Sequence, residues 1–386
     1  MSTQHGYFLI ADITGYTQYL STSELDHAQQ TLTALLNLLI GHTKPPLIIS
    51  RLAGDAVISY ALEDNFLQGQ TFVELLEDTY VSFRRAVDLM VRNTTCPCNA
   101  CRNIGSLDLK FFVHYGMFGV QKLDGHDELI GSDVNLIHRL LKNTVKEQTG
   151  IAAYTLYSSA AIQQLGLDEA AAQLVAHAES YEHLGAVQCW VQDMHAVWDR
   201  KHLAAQISIP ARRVLETATI EVDVPREQLW DYLLQAEHFN AMLAATKVEI
   251  VGRVGGRIGT GTVYECYHGG GVAPQLVLEW QPFERMLFQF DAPVPVRGTR
   301  AMWELRLEPS GDGTRATQTF SKPTGPILGR FFATKMLRML AAKVRSDMAS
   351  FKTHIEAVHG RNQVTNAVAI SSDTIAAAAR ESLATA

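Results

Sequence analysis

The segment that most constrains the fold is an apolar run, residues 7–13, which is followed by a potential turn at Gly15. The run shows no polar alternation, and this predicts a strand buried at the centre of a sheet. It nevertheless carries one carboxylate, Asp12. A buried charge is costly unless it is paired or binds a metal. Asp12 is therefore either a functional residue or simply a cap for the turn that follows.

Composition excludes several classes of protein. The chain has 386 residues, of which 47% are hydrophobic and 19% charged, as is typical of a folded globular protein with two or three domains. The net charge of −7 and the lack of a basic stripe argue against a nucleic-acid partner. We expect no membrane span, because no apolar stretch reaches about 18 residues. Five cysteines without a disulfide framework and no N-terminal signal lead us to expect a cytoplasmic protein.

The order of the predicted elements divides the chain into two domains. Residues 5–195 follow a β-α-β-β-α-β order with additions, which predicts an α+β domain. Residues 196–212 are predicted as a linker. Residues 213–358 are predicted as a second α+β domain, in which strands broken by glycines precede one long helix. Residues 359–386, rich in Ala, Ser and Thr, are predicted as a flexible tail.

A second carboxylate, Asp55, lies at the tip of a hairpin predicted over residues 47–61. If this hairpin lies beside the first strand, Asp12 and Asp55 can point at one spot. Such a pair suits Mg²⁺, which is commonly held by one or two carboxylates and substrate phosphates. The alternative is that Asp55 is merely a turn residue.

A helix predicted over residues 133–146 carries Asn135 and Arg139 on one face, because they are four positions apart. The planar donor fork of arginine fits the charge that develops on a transferring phosphoryl group. An amide beside it can orient a sugar or phosphate oxygen. The alternative is an ordinary solvated helix face.

These pieces resemble, in their order, the signature of class III nucleotidyl cyclases. The resemblance covers roughly residues 5–193 and implies a ferredoxin-like α+β fold. It rests on residues 8–17, on Gly54-Asp55, on His114-Tyr115-Gly116 as a central strand and turn, and on Gly131 with Val134, Asn135 and Arg139. By position it implies that Asp12, Asp55 and the carbonyl of Ile13 bind two Mg²⁺ or Mn²⁺ ions per site, and that Asn135 and Arg139 are catalytic.

The implied reaction is attack of the ribose 3′-hydroxyl of a nucleoside triphosphate, expected to be ATP, on its α-phosphate. The products are a 3′,5′-cyclic nucleotide and pyrophosphate. One chain holds both the metal residues and the transition-state residues. The resemblance therefore implies a homodimer with two composite sites.

Three departures from the family pattern leave a second hypothesis open. Arg51 and Glu128 stand where adenylate-specific members have a base-reading Lys and Asp, and these longer side chains could instead pair and fill the purine pocket. The hairpin predicted over residues 181–191 contains no Lys or Arg to grip a triphosphate. The rival hypothesis is a catalytically silent module that binds a nucleotide or only dimerises.

Three cysteines, Cys96, Cys98 and Cys101, lie within six residues. Three thiolates suit Zn²⁺ or an iron–sulfur centre if a fourth ligand, Cys189 or a histidine, comes from elsewhere in the fold. The alternatives are a redox-active thiol cluster and a structural loop.

The second domain resembles the START-like helix-grip (SRPBCC) fold, in which a curved antiparallel sheet wraps a C-terminal helix around an apolar cavity. Its aromatic residues either line such a cavity or form the core; they are Trp230, Trp280, Phe288, Phe290, Trp303 and Phe320. The resemblance implies a small apolar ligand, which would regulate the cyclase domain or, in the rival hypothesis, be the cargo of a lipid- or metabolite-binding protein.

Overall fold

The computed structural model describes residues 3–63, 68–123, 126–203, 207–243, 245–253, 256–268 and 271–384. The chain divides into two compact units: the first contains residues 1–204 and 369–386, and the second contains residues 205–368. In the described part of the chain, no helix is long and apolar enough to cross a membrane.

The first unit combines one sheet with several helices. Its strands are β1 (Thr3–Thr14), β2 (Ile48–Ala53), β3 (Ala56–Leu62), β4 (Asp108–Leu123), β5 (His126–Ile130), β6 (Tyr154–Ser158), β7 (Val175–Tyr181) and β8 (Gly185–Asp193). Its helices are α1 (Tyr16–Thr22), α2 (Leu25–Thr43), α3 (Gly69–Asn93), α4 (Asn99–Asn103), α5 (Ser132–Leu140), α6 (Val145–Thr149), α7 (Ser159–Gln164), α8 (Asp168–Ala171) and α9 (Met194–Leu203).

Strand β1 lies inside this sheet, as the apolar run predicts. The strand order is β2-β3-β1-β4-β6-β8-β7, with β5 paired to β4. Strand β1 is antiparallel to both of its neighbours, and Leu9 and Ile10 are fully buried. Phe8 and Ile10 share a core cluster with Val134 and Ile137 of α5. On the other face, the ring of Tyr7 packs 5.5 Å from that of Phe72 in α3.

The helix predicted over residues 133–146 is two helices, α5 and α6. The side chain of Asn143 separates them: its Oδ1 accepts a hydrogen bond of 3.0 Å from the N–H of Val145, and its Nδ2 donates one of 2.7 Å to the carbonyl of Leu140. Asparagine side chains that bond the local backbone in this way compete with a continuous helix.

Part of the predicted linker is helical, which corrects the prediction for residues 196–203. Helix α9 covers Met194–Leu203, and Met194 and Val197 are buried at helical spacing. Lys201 Nζ lies 3.2 Å from the buried Glu77 carboxylate of α3. Helix α9 is therefore a packed element of the first unit. Residues 204–206 of the predicted linker lie outside the described residues.

The second unit is an antiparallel sheet with three helices in its described residues. The strands are β9 (Val214–Val222), β10 (Lys247–Val251), β11 (Val263–His268), β12 (Gly271–Gln281), β13 (Arg285–Asp291), β14 (Arg300–Ser310) and β15 (Gly313–Ser321). The helices are α10 (Arg226–Leu233), α11 (Ala236–Leu243) and the part of α12 (Ile327–Ala384) that precedes residue 369. The strand order is β10-β11-β12-β13-β14-β15-β9. Both units mix helices and sheet, so the α+β class is confirmed.

Helix α12 is longer than predicted. The sequence predicts an end near residue 358 and a flexible tail over residues 359–386, whereas the helical backbone continues to Ala384. The physical reason is composition: beyond Gly360 the chain has no Gly or Pro and is rich in Ala, the best helix former. Residues 385–386 lie outside the described residues.

Candidate active site

The two predicted metal carboxylates come together at the end of β1. Asp12 pairs with Ala56, the residue directly after Asp55. The N–H of Ile13 donates a hydrogen bond of 3.2 Å to the backbone carbonyl of Asp55. Gly54 takes φ +65° in the turn between β2 and β3, a conformation that glycine adopts without steric cost. The Ile13 side chain is apolar and buried, so Ile13 could bind a metal ion through its backbone carbonyl.

The surroundings of these carboxylates disfavour their charge. Burial raises the pKa of Asp12 to about 6, the neighbouring charge of Asp55 adds to the rise, and Lys110 opposes it. Burial also raises the pKa of Asp55. Two carboxylates in partly desolvated surroundings fit a divalent cation, because a cation stabilises their charged forms.

Lys110 is a residue of this site that the sequence analysis missed. It lies directly opposite Asp12 in the β1–β4 register, and burial lowers the pKa of its amine. Its Nζ lies 5.0 Å from the ring centroid of Tyr154. The sequence offers one signal, a lone lysine inside the apolar run 109–113, but the strand register is needed to place it beside Asp12.

Arg51 and Glu128 form an ion pair, which is the pairing that the sequence analysis considered. Arg51 Nη1 lies 3.2 Å from Glu128 Oε2, and the two side chains are 47% and 34% exposed. Together with Phe8, Ile58 and other residues they line a cleft between the sheet and α5.

His138 lines the same cleft and was not predicted as a site residue. Its Nε2 lies 3.4 Å from Arg51 Nη2. Burial lowers the pKa of His138, and the charge of Arg51 lowers it further. His138 is therefore a neutral ring beside a cation. The sequence places it one position before Arg139, where helical periodicity turns it towards a different face.

Asn135 and Arg139 are both exposed on α5, one helical turn apart. Within the described residues of one chain, neither side chain makes a hydrogen bond or ion pair with Asp12 or Asp55. Arg139 also has no ion-pair partner in that part of the chain. One copy of the chain therefore does not bring the two predicted halves of the site into contact.

Helix α5 is fixed to β4 by Asp133. The Asp133 carboxylate accepts a hydrogen bond of 2.7 Å from the N–H of Met117 and lies 3.4 Å from His114 Nε2. The other ring nitrogen of His114 lies 2.7 Å from Ser158 Oγ, and burial lowers the pKa of His114. At Gly116 an added Cβ would lie 2.4 Å from the Asp133 carboxyl carbon. His114, Tyr115 and Gly116 all lie within β4, so the turn expected at this position is not found there. Through Asp133, this part of β4 supports the helix that carries Asn135 and Arg139.

The three clustered cysteines also come together, in the segment between α3 and the 3₁₀ turn Ile104–Ser106. The ligand atoms of Cys96, Cys98, Cys101 and His27 all lie within 4.8 Å of one another. His27 comes from the first turns of α2 and was not identified from the sequence. Cys189 is buried in the core of the sheet, so it is not the fourth member of this group.

The aromatic residues of the second unit differ in burial. Trp230, Phe288 and Trp303 are buried, whereas Trp280, Phe290 and Phe320 are half-buried. Phe288 stacks on Trp303 with ring centroids 4.3 Å apart, and Phe239 of α11 packs against both rings. Phe288, Trp303 and Phe320 follow one another in cross-strand register. The buried members therefore form a packed aromatic core along one face of the sheet.

Comparison with known families identifies the second unit. Residues 214–356 match the family model described as polyketide cyclase/dehydrase and lipid transport. The second unit is a START-like domain. In the first unit, residues 32–149 match a family described as a protein of unknown function (DUF2652).

Individual relatives give less information about the chain as a whole. An uncharacterized protein of Mycobacterium tuberculosis is 38% identical over 63 residues, which are 16% of this chain and 30% of that protein. A bacterial light-regulated adenylyl cyclase is similar in structure at 11% identity and a TM-score of 0.37, covering 51% of this chain and 56% of its own. The guanylyl cyclase Cya2 is similar at 14% identity and a TM-score of 0.36, covering 50% and 93%. Likeness at this level says nothing about substrate or activity.

Proposed function

We propose that residues 5–195 form a nucleotidyl cyclase domain that acts as a homodimer. The observation that carries the proposal is the meeting of Asp12 and Asp55 at the end of a buried central strand, in surroundings that raise the pKa of both. A fold gains no stability from such a pair, so its presence is best explained by function.

The substrate is a nucleoside triphosphate, with ATP expected. Its 3′-hydroxyl oxygen bonds to the α-phosphorus, the bond from that phosphorus to the pyrophosphate oxygen breaks, and the hydroxyl proton passes to solvent water. Asp12 and Asp55, with the Ile13 carbonyl, would hold Mg²⁺ or Mn²⁺, two per site. When bound, such ions polarise phosphoryl oxygens and lower the pKa of a bound hydroxyl.

Asn135 and Arg139 of a second copy would complete the site. Both are exposed and make no contact with the aspartates of their own chain in the described residues. Arg139 has a donor fork that suits the charge spread over the phosphoryl oxygens in the transition state. Asn135 would orient the ribose. Each homodimer would then contain two equivalent sites.

The ion pair between Arg51 and Glu128 would open to receive the base. Exposed ion pairs contribute about 0–1 kcal/mol, so separating this one costs little. Glu128 would accept a hydrogen bond from the exocyclic amine of adenine, and Arg51 would donate one to a ring nitrogen. The neutral ring of His138 leaves the cleft without a second positive charge.

The same ion pair supports a second candidate, a catalytically silent module that dimerises or binds a nucleotide without turnover. In this case Arg51 and Glu128 keep the base site closed. The absence of Lys and Arg from residues 181–191 removes a triphosphate contact and supports the same candidate.

Turnover by the full chain distinguishes the two. Purified protein is offered ATP and GTP separately with Mg²⁺ or Mn²⁺, and the cyclic nucleotide is quantified by mass spectrometry. We expect cyclic product from the natural chain, and none from Asp12→Ala or Arg139→Ala. Asp168→Ala and Arg92→Ala are matched controls at exposed positions and should retain full turnover. The silent module is supported if no cyclic product forms with any pair of nucleotide and metal at a protein concentration that enforces dimers.

We further propose that the START-like domain binds a small apolar ligand that regulates turnover. The match of residues 214–356 to the family model described as polyketide cyclase/dehydrase and lipid transport supports this. Native mass spectrometry of the purified chain tests for a co-purified small molecule, and a long-chain fatty acid is then added during turnover. A bound mass and a change in rate are expected. An unliganded mass together with an unchanged rate contradicts the regulatory proposal.

A further inference from the structure

A second group of potential metal ligands lies in the first unit. It is formed by His27 of α2 and by three cysteines, Cys96, Cys98 and Cys101, from the segment that follows α3. All four side chains are half-buried, and all of these cysteines are free thiols. His27 and Cys98 are 71 residues apart in sequence, so the fold, rather than local chain geometry, brings them together.

The distances match those of a tetrahedral metal site. His27 Nδ1 lies 3.2 Å from Cys98 Sγ, and 3.6 Å from the Sγ atoms of both Cys96 and Cys101. A zinc ion with Zn–S bonds of about 2.3 Å and a Zn–N bond of about 2.0–2.1 Å, at tetrahedral angles, separates N and S by about 3.6 Å. The group thus has the ligand number and the spacing of a closed zinc site.

Hydrogen bonding alone does not account for this convergence. The Nδ1 of a histidine either donates one hydrogen or accepts at one lone pair. Three sulfur atoms surround that nitrogen at 3.2–3.6 Å, which is more than it can bond. A metal ion at the centre of the four atoms would satisfy all of them at once.

The backbone around the cysteines is arranged to present them. Cys98 caps α4, and its sulfur accepts a hydrogen bond of 3.4 Å from the N–H of Cys101. The Glu24 carboxylate, just before α2, accepts one of 2.9 Å from the N–H of Ala100. Arg102 donates one of 2.9 Å to the carbonyl of Pro97. These bonds hold the cysteine segment against the start of α2, where His27 lies.

We propose that His27, Cys96, Cys98 and Cys101 bind one Zn²⁺ ion as a structural site. Thiolates and imidazole select zinc over the hard cations that suit Asp12 and Asp55. Four protein ligands leave no open position, so the site stabilises the fold and performs no chemistry. Zinc would join α2 to α4 and to the loop that precedes α4. The turn Ile104–Ser106 directly follows α4, and the carbonyl of Ser106 lies 3.0 Å from where a Cβ would stand on Gly15.

Metal content tests the proposal independently of cyclase activity. The full chain is expressed without added metal and purified without chelators, and its zinc and iron are measured by inductively coupled plasma mass spectrometry. We expect about one zinc per chain. Cys101→Ser and His27→Ala should lose it, whereas His27→Cys should keep it, because four thiolates also bind zinc. Cys189→Ala and Cys266→Ala are controls: both thiols are buried elsewhere and their loss should leave the zinc content unchanged.

Cobalt substitution gives a readout that needs no variant. Zinc is removed from the natural chain with a chelator and replaced with Co²⁺. Thiolate-to-cobalt charge-transfer bands and the intense visible bands of tetrahedral Co²⁺ are expected. The proposal is overturned by a chain that contains neither zinc nor these cobalt bands, by stoichiometric iron in place of zinc, or by zinc that persists in both His27→Ala and Cys101→Ser.

Discussion

At the residue scale, Asp12 is a carboxylate that the fold holds at an energetic cost. Burial raises its pKa to about 6, and the charge of Asp55 contributes to the rise. The cross-strand Lys110 offsets only part of this, since the net shift is still upward. Charged residues that lower stability are characteristic of sites kept for function.

The first prediction is that Asp12→Asn stabilises the metal-free protein at pH 7.5 while abolishing turnover. A folded pKa of about 6, against an unfolded value of about 3.9, means that ionisation costs the folded state free energy above pH 6. A shift of this size corresponds to about 1–3 kcal/mol. This free-energy cost falls as pH drops through 6, so the extra stability of Asp12→Asn should shrink towards pH 4. Urea unfolding in EDTA at pH 7.5 and at pH 4 measures the difference in the free energy of unfolding between the two proteins. An equal or lower stability of the variant at pH 7.5 contradicts the argument.

The second prediction concerns Gly116, which lies under the Asp133 carboxylate. An added Cβ would stand 2.4 Å from the carboxyl carbon and 2.6 Å from the Asp133 Cβ, so Gly116→Ala must displace the residue that fixes α5. We expect a loss of about 1–3 kcal/mol in the free energy of unfolding, together with lower turnover.

Gly41→Ala is the matched control for Gly116→Ala. Gly41 lies in α2 with nothing within 4 Å of an added Cβ, and alanine is the better helix former by about 1 kcal/mol. This variant should be neutral or stabilising. Thermal unfolding of both proteins compares them, and equal effects would show that crowding at Asp133 is not the cause.

At the element scale, the sheet of the START-like domain contains a buried charge network. Arg285 of β13 is 4% exposed. Its Nη1 lies 3.1 Å from a Glu304 oxygen of β14, and its Nη2 lies 3.7 Å from a Glu279 oxygen of β12. Glu279 also accepts a hydrogen bond of 3.1 Å from the N–H of Ile207. The network links three neighbouring strands to the segment that enters the domain.

The third prediction is that Arg285→Met destabilises the START-like domain by about 3 kcal/mol. It leaves the buried Glu279 carboxylate without its cation, and Glu304 keeps only Arg306, whose side chain is 46% exposed. The control is Arg300→Met, which removes an arginine that pairs with Asp291 where both side chains are exposed. Exposed pairs contribute about 0–1 kcal/mol. Denaturant unfolding followed by tryptophan fluorescence measures both. A loss no larger for Arg285→Met than for Arg300→Met would mean that the buried network contributes nothing.

At the scale of the whole molecule, the site residues divide into two groups. Asp12 and Asp55 meet at one end of β1, whereas Asn135 and Arg139 are exposed on α5 and make no contact with them in the described part of a single chain. In the proposed homodimer, each copy would supply the group that its partner's site lacks, and two-fold symmetry would make both sites equivalent.

The fourth prediction is that two inactive variants restore activity when combined. Asp12→Ala and Arg139→Ala damage different groups, so a mixed dimer contains one intact site and one doubly damaged site. With random exchange, half of the dimers are mixed, and turnover should recover to roughly a quarter of the natural level. The two proteins are mixed, incubated for subunit exchange and assayed, with each variant alone as control. No recovery despite exchange, shown by native mass spectrometry, would place the whole site within one chain.

Much of the fold was predictable because it depends on local patterns. The continuous apolar run predicted the buried strand β1, and the glycine between two short apolar runs predicted the hairpin whose turn contains Asp55. Errors occurred where side chains override periodicity. Asn143 divides one predicted helix into α5 and α6, and packing makes a helix of residues that resembled a linker.

The sequence by itself determined which residues are candidates for chemistry: a carboxylate at the end of an apolar strand, a second in a turn, an amide and an arginine on one helix face, and three cysteines within six residues. The tertiary structure alone decided their partners. Lys110 opposite Asp12, the pairing of Arg51 with Glu128, and His27 beside the cysteines all depend on strand register and helix packing. Such contacts join residues that are distant in sequence, such as Arg51 and Glu128, which are 77 positions apart. They arise from the burial of the core as a whole, which no local stretch of the chain encodes.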